Sequence, residues 1–159
     1  MLPIQTVLHP TDFSERSEPA FRLACSLARD YGARLVVLHV IPPPIQVDGG
    51  DPVIADMIDD FHHKLNEKLH RLQPADQNVQ VQHWLSQGDP VTEILRIANE
   101  AKASMIVMGT HGSTGLRRAV MGSVAEGVER HASCPVVIVK TPFAEVPDHI
   151  QTVEQGAGS

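Results

Sequence analysis

Two cysteines in 159 residues cannot supply a disulfide framework. Cys25 lies inside a helical apolar pattern and Cys134 just before a strand-like run, so both read as small hydrophobes in a chain kept in a reducing compartment. Aromatic residues make up only 4% of the chain, and 13 Lys and Arg face 19 Asp and Glu, a formal charge of −6. Nucleic acid asks for the reverse, a basic surface with rings for stacking, and is not expected as a partner. No apolar run approaches the ~18 residues of a membrane span. Met1-Leu2-Pro3-Ile4-Gln5 lacks a basic segment leading into an apolar one. The expected location is the cytoplasm.

Several chemical signatures are missing too. There is no Gly-x-x-x-x-Gly-Lys-Ser/Thr, no Gly-x-Gly-x-x-Gly after a strand and no Gly-x-Ser-x-Gly elbow. His62, His63 and His70 share a helical stretch, but His63 and His70 stand two turns apart, whereas a zinc pair on a helix needs spacing of three or four. No metal site of the protein's own is expected.

What the chain does have is a glycine-punctuated loop. Gly109 follows the apolar run Met105-Ile106-Val107-Met108; after two intervening residues comes Gly112, and after nine more Gly122-Ser123. Glycine is needed where backbone N–H groups must approach an anion that a Cβ would hold off. Gly122-Ser123 precedes Val124, Ala125 and Val128, so a helix N-terminus would face the same anion. Ser123 and Glu126 also have capping-box spacing, which explains Ser123 without a ligand. It does not explain Gly109, Gly112, Gly115 and Gly122 in a link far longer than the about 2–6 residues usual between strand and helix.

Around this loop, short apolar runs alternate with helical stripes. Strands are expected over Thr6–His9, Leu35–Val40, Val79–Leu85, Met105–Met108 and Val136–Val139. Four are near-continuously apolar, as parallel strands covered on both faces should be. Val79–Leu85 alternates and belongs at an edge. A first helix opens at Ser17-Glu18-Pro19, with Ser17 as cap, and ends at Gly32; Ala20, Phe21, Ala24, Leu27, Ala28 and Tyr31 form its core face. A second carries Ile54, Met57, Ile58, Phe61, Leu65, Leu69 and Leu72, and a third Val91, Ile94, Leu95 and Ala98 after Asp89-Pro90. Strands joined by helices in this rhythm run parallel through right-handed crossovers, so their carboxyl ends share one edge. Ligands bind on that edge where strand order reverses.

The glycine loop, with Val7-Leu8-His9-Pro10-Thr11-Asp12-Phe13-Ser14, Leu35-Val36-Val37-Leu38-His39-Val40 and Cys134-Pro135-Val136-Val137-Ile138-Val139, resembles the universal stress protein family in its ATP-binding branch. The resemblance covers roughly Thr6 to Lys140. It implies an α/β fold, a single Rossmann-like domain of the adenine nucleotide α-hydrolase type, with five parallel strands in the order 3-2-1-4-5 and helices on both faces. It also implies a homodimer that covers the edge strand Val136–Val139, and a role in stress response.

The resemblance implies an adenine nucleotide as well: ATP, or ADP or AMP, with Mg²⁺ as a companion of the phosphates. Pro10 and Thr11 lead to Asp12, whose carboxylate would accept from a ribose hydroxyl or adenine amino group, or else cap the turn through Ser14. Val40 would hold the adenine edge by its backbone and Met108 would lie under base or sugar. Gly109, Gly112, Gly122, Ser123 and Val124 would surround the phosphates, and His111 would donate to one of them or else sit on the surface. Arg117 and Arg118 read as solvated. Many relatives carry a basic residue after the second glycine; here it is Ser113.

Residues 1–140 are expected to form the domain and 141–159 a polar, mobile tail. Ile41 to Pro52, rich in proline and glycine, is expected to be a loop over the ligand edge that acts as a lid. Binding groups are present, while a base and charge stabilisers for turnover are not evident. The favoured reading is a regulatory ATP-binding protein. A slow Mg²⁺-dependent ATPase using His111 or Asp12, and a dimeric stress protein without nucleotide, are the alternatives.

Overall fold

The computed structural model describes residues 3–43, 52–110 and 121–140, with the side chains of residues 52–55 left out. The loop from Pro44 to Asp51, the glycine-loop positions His111, Gly112, Ser113, Gly115, Arg117 and Arg118, and the tail 141–159 lie outside them. The strands are β1 (Thr6–Pro10), β2 (Arg34–Ile41), β3 (Val81–Gln87), β4 (Met105–Gly109) and β5 (Val136–Val139). The helices are α1 (Glu18–Tyr31), α2 (Pro52–His70), α3 (Pro90–Glu100) and α4 (Ser123–His131). All four pairings are parallel, in the order β3-β2-β1-β4-β5. This is the expected doubly wound sheet, with strand order reversing between β1 and β4.

The apolar runs work because alternate residues face opposite layers. Leu8, Val36, Leu38, Ile106 and Met108 pack with Ile94, Ile97 and Ala98 of α3 and Ala125 and Val128 of α4. Val7, Leu35, Val37 and Val107 pack on the other face with Ala20, Ala24 and Ala28 of α1 and Leu69 of α2. Burying each Val or Leu contributes about 1.5–3 kcal/mol, and the four-residue alanine spacing lets α1 lie close to the sheet. Gly127 does the same for the α3–α4 contact, since a Cβ there would stand 2.8 Å from Val91 Cγ2.

Helix ends follow local chemistry in two places. Gly32 terminates α1 in the left-handed region, φ 61°, with its N–H returning to Arg29 and that of Ala33 to Ala28. The Asp89 carboxylate caps α3 through the Thr92 N–H and hydroxyl.

Elsewhere the expectations need correction. Ser17 makes no capping bond to α1; it closes a 3-10 turn over Glu15–Ser17, and its hydroxyl donates to the Ser14 carbonyl. Tyr31 is exposed, because it falls on the last turn of α1 where the helix leaves the sheet. β3 starts two residues late: the Val79 N–H is spent on a turn to the Asp76 carbonyl. Among the described side chains of α2 only the carboxyl-terminal half docks: Leu69 is buried and Leu65 half-buried, while Met57, Ile58 and Phe61 remain exposed.

Candidate functional site

At the carboxyl edge, where β1 and β4 diverge, lies a cavity of about 410 Å³. The β1 exit contributes Pro10, Thr11 and Asp12; β2 contributes Leu38, His39 and Val40; β4 contributes Met108 and Gly109; the start of α4 contributes Gly122, Ser123 and Val124. Nine of the eleven residues chosen from the sequence thus line one cavity, and His111 and Gly112 lie outside the described residues. Sequence reasoning missed Ile94 and Pro90 of α3, which form an apolar floor. Their stripe signals a core helix and nothing in it marks a cavity.

The crevice has a local cause. The β1–β4 ladder pairs Val7 with Met105 and Leu8 with Ile106. One step on, the buried His9 ring takes over, donating from Nδ1 to the Val107 carbonyl at 2.9 Å. A carbonyl only accepts, so Nδ1 carries the proton and Nε2 is a bare lone pair with no partner among the described residues. Burial drives the His9 pKa down to about 4, against the smaller opposing effects of Val107 and Asp12.

β1 also parts from β2. Their register ends at Pro10 and Leu38, and the last bond runs from the Thr11 N–H to the Leu38 carbonyl. Main-chain groups alternate sides along a strand, so those of Val40 turn to the side that β1 has vacated.

The segment after β1 is tightly held. The Thr11 hydroxyl accepts from the Phe13 N–H at 3.1 Å and lies 3.2 Å from Ser17 Oγ. His39 Nδ1 donates to the Thr11 carbonyl at 2.8 Å, and burial lowers the His39 pKa. Phe13 stands at φ 63°, a left-handed conformation that costs an L-residue about 1–2 kcal/mol. With the chain so reversed, the Ser14 N–H and hydroxyl both donate to Asp12 Oδ1, at 2.9 and 2.6 Å. The Asx turn anticipated for Asp12 is therefore present, but it occupies one oxygen. Oδ2 is buried without a partner among the described residues. A buried acceptor left open costs about 1–3 kcal/mol, more when charged.

Across the cavity stand donors. α4 begins at Ser123 with Gly122 as its N-cap, extended at φ −64° and ψ 155°. The capping box expected from Ser123 and Glu126 does not form. The Gly122 carbonyl already receives the Glu126 N–H, and the Glu126 carboxylate pairs with Arg130 instead. Because glycine has no side chain to cap with, the N–H groups of the first turn, at Ser123 to Ala125, have no capping oxygen among the described residues. The Gly122 N–H itself closes on the Thr110 carbonyl at 2.6 Å, which ties the start of α4 to the end of β4.

Comparison with known proteins matches residues 3–140 to the universal stress protein family. Universal stress protein MJ0531 of Methanocaldococcus jannaschii is 32% identical over 143 residues, covering 87% of this chain and 84% of its own. The solved structure of MJ0577 from the same organism superposes with a TM-score of 0.72 at 27% identity, over 90% of this chain and 100% of that one. At the level of fold, the Archaeoglobus fulgidus universal stress protein in complex with dAMP superposes at 0.58 with 23% identity, over 87% and 100% of the two chains.

Proposed function

This chain belongs to the universal stress protein family, and from that premise we propose that its carboxyl-edge cavity binds an adenosine nucleotide, ATP foremost, as a regulatory ligand. The observation that carries the reading is the division of the cavity walls. One side holds the Asp12 carboxylate, whose buried Oδ2 has no partner among the described residues, and the other the first-turn N–H groups of α4, which no described side chain caps. A ribose brings hydroxyl donors and a phosphate brings acceptors, so a nucleotide satisfies both sides at once.

In this assignment Asp12 accepts from the ribose. The Val40 backbone meets the adenine edge, with Met108, Leu38 and Ile94 against the apolar faces. Gly109, Gly122 and the N–H groups of Ser123 and Val124 receive the phosphates, with His111 and Gly112 of the intervening loop and Mg²⁺ on the phosphates. The dAMP complex of the Archaeoglobus protein agrees at the level of fold.

Regulation rather than turnover fits the groups at hand. Among the described residues the cavity presents one carboxylate, half engaged by Ser14, and one imidazole, whose Nδ1 is committed to Thr11. Neither is placed as a free base beside an attacking water. Two copies would pair through β5, whose outer edge no described strand covers, giving a two-fold homodimer in the cytoplasm.

The test is calorimetric titration of ATP into the wild type and Gly122→Val. The variant puts a branched side chain where the phosphates would lie, and its affinity should fall at least about tenfold, equal to 1.4 kcal/mol, with an unchanged circular dichroism spectrum. Equal affinity in both proteins would remove the phosphate assignment.

A further inference from the structure

We propose that Phe13, held by His39 and Lys68, is the positioning residue that aims Asp12 into the cavity, so that nucleotide affinity depends on the docking of α2. The inference rests on the nucleotide reading above and extends it to a helix that does not line the site.

The chain of contacts runs inward from α2. Lys68 sits beside the buried Leu69, and its Nζ lies 4.9 Å from the centroid of the Phe13 ring. The same ring packs against His39 at 4.4 Å, tilted by 38°. His39 is fixed in turn by its bond to the Thr11 carbonyl, and the Phe13 N–H is fixed by the Thr11 hydroxyl. Ring and backbone of Phe13 are thus anchored at once. That anchoring matters because the left-handed conformation at Phe13 is unfavourable by itself and persists only where its surroundings impose it.

The consequence falls on Asp12. With the chain reversed at Phe13, the Ser14 N–H and hydroxyl both return to Oδ1, and that pair of bonds orients the carboxylate of Asp12, a cavity-lining residue, with its buried Oδ2 unpartnered among the described residues. If the ring loses its supports, residue 13 relaxes toward ordinary backbone, Ser14 swings away and Asp12 gains rotational freedom. The charge of Lys68 contributes through the ring face, an interaction that survives exchange for arginine but not for glutamine.

The experiment is calorimetric titration of ATP into the full chain and its variants, each with a thermal unfolding midpoint. Phe13→Ala should weaken ATP by about tenfold while Phe13→Tyr, which keeps the ring, stays within about twofold of wild type. Lys68→Gln should lose about threefold, restored by Lys68→Arg. The decisive arm is a double-mutant cycle. If Phe13 acts through Asp12, then in an Asp12→Asn background Phe13→Ala should add less than about twofold.

Wild-type affinity in Phe13→Ala and Lys68→Gln, with Asp12→Asn weakened, would overturn the positioning role and leave the nucleotide site standing. So would a full tenfold loss in the Asp12→Asn background, which would mean that Phe13 acts elsewhere. A wild type that binds no adenosine nucleotide would overturn both. Should Phe13→Ala fail to fold, the Lys68→Gln and Lys68→Arg pair decides.

Discussion

His9 replaces a rung of the sheet: its Nδ1–H meets the Val107 carbonyl at 2.9 Å one step beyond the last β1–β4 backbone pair, Leu8 with Ile106. A side chain takes over from the backbone where the two strands separate, which lets them diverge without stranding a carbonyl. The same placement makes the protein sensitive to acid. Folded His9 takes up a proton only near pH 4, whereas the unfolded chain does so near 6.5. Between those values the unfolded state binds more protons, so stability falls as pH falls. At about 1.4 kcal/mol per unit the full effect is on the order of 3 kcal/mol. Urea unfolding across pH 7 to 4 should show this loss. His9→Asn, whose amide can donate to Val107 without titrating, should flatten the profile; an unchanged slope would contradict the assignment.

Gly88 connects β3 to α3 at φ 150°, and a Cβ there would stand 2.9 Å from Glu93 Cγ. Glu93 is held by Ser86 and Arg96, so it cannot yield without breaking that network. Gly88→Ala should therefore lower stability by about 1–3 kcal/mol. A thermal midpoint equal to that of wild type would count against the strain argument.

Edge pairing makes a separate prediction. β5 lies at one end of the sheet with Val136, Val137, Ile138 and Val139 only half-buried. Sedimentation at micromolar concentration should give the mass of two chains, with amide protection of residues 136–139 falling on dilution. A monomer at that concentration would defeat the dimer.

Much of this architecture is legible in the residues. Gly32 and Asp89-Pro90 punctuate their helices as local rules require, and the apolar runs around Leu8, Val36 and Ile106 locate buried parallel strands. Periodicity misleads where a helix outruns its support: the stripe of α2 includes Met57 and Phe61, yet among its described side chains only those at its end, Leu65 and Leu69, are covered. A one-residue shift moves the N-cap from Ser123 to Gly122, a distinction the glycine's extended backbone makes and the letters do not. The support of Asp12 was hidden for a different reason. Phe13, His39 and Lys68 are far apart in sequence, and only the β-α-β path brings them together.

The central claim is tested most directly by asking what the protein carries. Nucleotide released by acid from freshly purified protein should be identified by mass, and the stripped protein titrated with ATP, ADP and AMP in the presence of magnesium. Co-purified ATP, or micromolar binding of it, is the predicted result. No released nucleotide together with no heat from any of the three would contradict the account and leave the cavity between Asp12 and Gly122 without its proposed occupant.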